Sequence, residues 1–108
     1  MARLSLMHGT LDLGVLRLLA GGLMHGYGIA SLVHERTDGE PVVEDAALYQ
    51  ALHRLEPQGL IEAEWGPSEN NRRARYYSPT TAGHKRLREE TTDWRRYARA
   101  MDALLDLS

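Results

Sequence analysis

The C-terminal stretch of this chain sets the strongest constraint on its fold. From Thr80 onward, Leu87, Trp94 and Met101 recur every seven residues, joined by Tyr97, Ala98, Leu104 and Leu105. Between them stand Arg86, Arg88, Glu89, Glu90, Asp93, Arg95, Arg96 and Arg99, the pattern of an apolar stripe on a charged helix. At ~1.5 Å per residue, residues 80–105 would form a rod of about 39 Å. A chain of 108 residues has no body large enough to cover that stripe along its whole length. Such a helix calls for a partner, often a second copy of itself.

The preceding residues divide by periodicity. Residues 10–20 carry Leu11, Val15, Leu18 and Leu19 at helical spacing, with Leu13 and Leu16 broadening the stripe, and Gly21 and Gly22 end it. A second short helix fits residues 27–36, where Tyr27, Ile29, Ala30, Leu32 and Val33 are apolar; Asp38, Gly39, Glu40 and Pro41 then form a turn cluster. A third helix is predicted over 45–56, with Asp45 as N-cap and Leu48, Leu52 and Leu55 as its stripe. Pro57 ends or loosens it, and Gly59 stands where a helix C′ glycine belongs.

Residues 60–65 alternate as a strand, with Ile61, Ala63 and Trp65 on one side and Glu62 and Glu64 on the other. Residues 66–71 are turn chemistry, and 75–78 suit a return strand, giving a hairpin with an arginine-bearing tip. The fold class expected is mainly α with a small β-hairpin: a winged helix-turn-helix over residues 1–79, then a long C-terminal helix over 80–108.

Composition narrows the function classes. There is no Cys, which excludes disulfides and thiolate zinc sites. His8, His25, His34, His53 and His84 show no i, i+4 pairing, so no metal site is expected. Gly26-Tyr27-Gly28 begins like a dinucleotide loop but lacks the third glycine and a preceding predicted strand. The serines have no Gly-x-Ser-x-Gly frame, so no enzyme and no cofactor are expected. The apolar run at 11–20 is short and interrupted by Asp12 and Arg17, which points away from a membrane and to a cytoplasmic protein. The net charge of −2 hides a local cluster, Arg72, Arg73 and Arg75, able to meet phosphate on an acidic chain.

Five segments in order carry a resemblance to a known family. They are His8-Gly9-Thr10-Leu11-Asp12-Leu13, Met24-His25-Gly26-Tyr27-Gly28-Ile29, and Leu48-Tyr49-Gln50-Ala51-Leu52-His53-Arg54-Leu55-Glu56. Gly59-Leu60-Ile61 follows, and Arg73-Ala74-Arg75-Tyr76-Tyr77 leads into Thr80-Thr81-Ala82-Gly83. Over about residues 8–105 the chain resembles the short members of the PadR family of bacterial transcriptional regulators. The resemblance implies a third helix that reads DNA, a wing on phosphates or the minor groove, and homodimerisation through the last helix. Family members are often repressors that release DNA on binding a small, usually aromatic molecule. Three departures stand out. Ala46-Ala47 replaces a pair ending in a hydroxyl that can meet phosphate. Gln50 replaces a proline and brings an amide suited to adenine, and Pro57 replaces a polar residue.

On this footing the candidate DNA contacts are Tyr49, Gln50, His53 and Arg54 on the third helix, with Gln50 and Arg54 aimed at base edges. Arg72, Arg73 and Arg75 supply the wing; the plainer reading of both sets is a solvated polar surface. Leu87, Trp94, Tyr97, Met101, Leu104 and Leu105 are the dimerisation stripe. Two readings of Trp94 stand open: a dimer-core aromatic, or, with Tyr97, a platform for a planar aromatic effector. The expected partners are a palindromic double-stranded operator and a second copy of the chain. The alternative is a dimeric interaction module or sensor that does not itself bind DNA.

Overall fold

In the computed structural model, residues 9–22, 24–38, 44–67 and 72–106 are described. His8, the turn cluster at 39–41 and the turn at 68–71 lie outside them, as does the side chain of Tyr27. The chain forms α1 (Thr10–Leu19), β1 (Met24–His25), α2 (Gly26–Arg36), α3 (Asp45–Leu55), β2 (Ile61–Pro67), β3 (Arg73–Pro79) and α4 (Thr81–Leu105). The fold is a winged helix with a long C-terminal helix.

The stripes read from the sequence become one core. Val15, Leu16 and Leu19 of α1 meet Ile29 of α2 and Leu48, Ala51, Leu52 and Leu55 of α3. Leu60, Ile61 and Tyr77 close it from the sheet side, and Leu11, Leu18 and Leu87 pack against its edge. Leu16, read as the margin of its stripe, is fully buried, while Leu18 is only half-buried.

Strand β1 has no counterpart in the sequence reading. Two residues are too short for a periodic signal; pairing alone defines the strand, Met24 opposite Tyr77 and His25 opposite Tyr76. The described sheet has the order β1-β3-β2, antiparallel throughout. A strand therefore does precede Gly26-Tyr27-Gly28, although the third glycine of a dinucleotide loop is still missing. His25 also caps α2, its Nδ1 accepting from the Gly28 N–H at 3.0 Å, and its ring meets Tyr76 edge-on at 5.5 Å.

The ends of α3 differ in part from expectation. Glu44, not Asp45, is the N-cap residue, with no side-chain cap; Asp45 lies in the first turn, where the helix dipole favours a carboxylate. The regular helix stops at Leu55, before Pro57. Gly59 then takes a left-handed φ of 74°. Its N–H donates to the Glu56 carbonyl and that of Leu60 to the Leu55 carbonyl, which is a Schellman closure.

That closure is where α4 is anchored. Thr80 caps α4, its Oγ1 accepting from the Gly83 N–H at 3.1 Å while donating to the Gly59 carbonyl at 2.6 Å. The Thr80 N–H donates to the Leu60 carbonyl at 3.0 Å. Gly83 is buried against the same residue. Beyond Leu87 the helix leaves the body: the radius of gyration is 15.4 Å, against roughly 13 Å for a sphere-like chain of this length. Its polar side carries ion pairs between residues one turn apart, Lys85 with Glu89 and Arg86 with Glu90.

Candidate nucleic-acid interface

Helix α3 buries Leu48, Ala51, Leu52 and Leu55. With about 100° between successive residues, Ala46, Gln50 and His53 fall on the opposite side and Tyr49 on one flank. Tyr49, Gln50 and His53 are exposed, as a surface presented to an external partner must be. The outward strip is therefore made of an amide, an imidazole and a phenol.

Arg54 pairs within the chain. Instead of extending outward with Gln50, its guanidinium turns along the helix flank to α1. Nε and Nη2 donate to the two carboxylate oxygens of Asp12 at 3.2 and 2.6 Å. The hydrogen bond to Asp12 raises the guanidinium pKa above its ordinary value; desolvation opposes it in part, and attraction to the same carboxylate adds a smaller upward contribution. Forked contacts of this type are the strong class of ion pair.

The wing has two chemically distinct faces, fixed by register. Trp65 pairs with Arg75 and Pro67 with Arg73, so these residues share a face with Ile61 and Tyr77. Glu62 and Glu64, opposite Ser78 and Tyr76, occupy the other. The acidic face repels phosphate; the arginine face attracts it. Trp65 alternates correctly but lies beyond the core, 59% exposed, with the Arg73 guanidinium 5.3 Å from its ring centroid.

Arg75 is not at the hairpin tip. Strand β3 begins at Arg73, two residues earlier than the predicted return strand, so Arg75 lies down the strand against the body. There its Nη2 donates to Glu56 at the end of α3, at 2.7 Å, and its guanidinium lies 5.8 Å from the Tyr77 ring centroid. Arg72 is exposed beside the strand. Among the described residues, no carboxylate lies within ion-pair distance of Arg72 or Arg73. Asp12 and Glu56 escaped the sequence reading because their partners are 42 and 19 residues away.

Along α4, Trp94 and Tyr97 stack with ring centroids 6.0 Å apart, and both are exposed, at 41% and 47%. Leu104 and Leu105 are more exposed still, and Met101 is half-buried. Leu87, expected in the dimerisation stripe, packs on the core of its own chain because it lies only one turn past Gly83. No cluster of three or more potential metal ligands occurs among the described residues. Among them, no helix is long and apolar enough to cross a membrane.

Comparison with known proteins agrees with this geometry. A PadR family transcriptional regulator from Eggerthella lenta superposes with a TM-score of 0.80 at 31% identity, over 93% of this chain and 85% of that one. A transcriptional regulator from Clostridium thermocellum gives a TM-score of 0.80 at 30% identity, covering 88% and 89% of the two chains. A PadR family regulator from Clostridium difficile gives 0.79 at 28% identity, over 90% and 99%. The sequence profile of the transcriptional regulator PadR-like family matches residues 15–89, most of the chain. The winged helix, its outward α3 strip and the family match lead to one conclusion: this chain belongs to the transcriptional regulator PadR-like family.

Proposed function

We propose that the chain acts in the cytoplasm as a homodimer that binds a palindromic operator in double-stranded DNA and represses transcription. The observation that carries the DNA reading is the shared exposure of Tyr49, Gln50 and His53 on α3 with Arg72 and Arg73 on the wing. Gln50 is suited to adenine in the major groove, Tyr49 and His53 to phosphate or the groove wall, and the two arginines to phosphates flanking it. The dimer reading is supported by the exposed Trp94, Tyr97, Leu104 and Leu105 on one side of α4. Residues 1–79 would form the reading head and 80–108 the joint, and a two-fold joint would set two α3 helices about 34–36 Å apart on DNA. A planar aromatic effector stacking on Trp94 and Tyr97 would change that spacing and release the operator.

Fluorescence anisotropy of the purified chain against its own upstream promoter and a scrambled duplex, at two salt concentrations, tests the proposal. Selective binding that weakens steeply with salt supports it. Absence of binding to either duplex at low salt would replace it with a dimeric protein-interaction module.

A further inference from the structure

Helix α3 is tied on both flanks by an arginine–carboxylate pair. On one flank Arg54 of the helix meets Asp12 of α1; on the other, Glu56 at the helix end meets Arg75 of β3. Neither pair joins sequence neighbours, so each reports how α3 sits against another element. The apolar contacts beneath α3 fix which face it buries but, being non-directional, leave its fine tilt and roll to other contacts. The bidentate Arg54–Asp12 fork and the single charge-assisted Arg75–Glu56 bond are directional, and on opposite flanks they oppose rolling in both senses.

The pairs also change the charge offered to DNA. Of the four arginines among the seven candidate DNA contacts on α3 and the wing, Arg54 and Arg75 already face carboxylates. A phosphate approaching either must compete with a partner at 2.6 or 2.7 Å. Resting on the DNA-binding reading above, we propose that Asp12 and Glu56 are positioning residues for operator recognition. Through Arg54 and Arg75 they fix the angle of α3 against α1 and the wing, and they reserve direct phosphate contact for Arg72 and Arg73.

The test uses the full chain, an operator duplex enriched by the protein from a random pool, and a scrambled duplex, titrated across a salt series. Variants are Asp12→Asn, Arg54→Gln and their double, then Glu56→Gln, Arg75→Gln and their double, each checked for native circular dichroism. Arg54→Lys, which keeps the charge and loses the fork, covers the case in which Arg54→Gln does not fold. The expected result is a loss of operator-over-scrambled selectivity of roughly threefold to tenfold for each single variant, with each double no worse than its singles. The salt slope stays at the wild-type value throughout. A slope flattened by about one unit in Arg54→Gln or Arg75→Gln, with tighter binding of both duplexes in Asp12→Asn or Glu56→Gln, means direct phosphate contact and overturns the proposal. Unchanged selectivity in folded variants overturns it as well. A wild-type chain that binds neither duplex instead overturns the regulator reading itself.

Discussion

Replacing Gly83 by alanine separates helix propensity from tertiary packing by sign. Gly83 lies in the first turn of α4, where alanine would favour an isolated helix by about 1 kcal/mol. In the folded chain its Cβ would lie 2.0 Å from the Leu60 carbonyl oxygen, 3.0 Å from the Leu60 carbonyl carbon and 3.3 Å from the Pro79 Cβ. Carbon–oxygen contacts normally begin near ~3.3 Å, so α4 must withdraw by over an ångström or the Leu60 turn must move. Neither yields easily, because the obstacle is backbone and not a flexible side chain. Withdrawal would stretch the Thr80 N–H to Leu60 and Thr80 hydroxyl to Gly59 hydrogen bonds, together worth about 2 kcal/mol. Overpacking costs a further ~1–3 kcal/mol, and subtracting the propensity gain leaves a net loss of about 2–4 kcal/mol. For a chain of this size that lowers Tm by roughly 10–20 °C. Thermal and urea unfolding followed by circular dichroism, at one fixed protein concentration, measures it. Ala82→Gly, at the exposed neighbouring position, should cost only about 1 kcal/mol. A Gly83→Ala protein as stable as wild type, or more so, would refute the seating of α4 on the Leu60 turn.

His25→Ala should cost about 1 kcal/mol in urea unfolding, through loss of the cap on the Gly28 N–H. Arg72→Ala combined with Arg73→Ala should flatten the dependence of log Kd on log salt by about one unit per lost phosphate contact; an unchanged slope removes the wing from the interface. Planar aromatic compounds should quench tryptophan fluorescence, and Trp94→Ala should abolish that quenching. Persistence in the variant would assign it to Trp65, which is also exposed. Sedimentation should give a dimer that weakens when Leu104 and Leu105 are both changed to Asp, with Tm becoming more dependent on concentration.

Elements whose information is local were legible in the sequence. The stripes of α1 and α3, the stop around Pro57 and Gly59, the alternation of β2 and the length of α4 each follow from residues within a few turns of one another. The outward placement of Tyr49, Gln50 and His53 follows too, because one buried stripe on a helix fixes its opposite side. Other features depend on how distant segments meet. Strand β1 exists only as a pairing with Tyr76 and Tyr77. Gly83 is required by a carbonyl in another element, and Trp65 is exposed because the core ends at Ala63. The arginines make the division plain. Their positions and positive charges were readable, but a long side chain can reach several partners, and its choice depends on which carboxylate the fold brings near. Asp12 and Glu56 reach Arg54 and Arg75 only after α1, α3 and β3 have packed, so tertiary structure alone decided which arginines remain free of them.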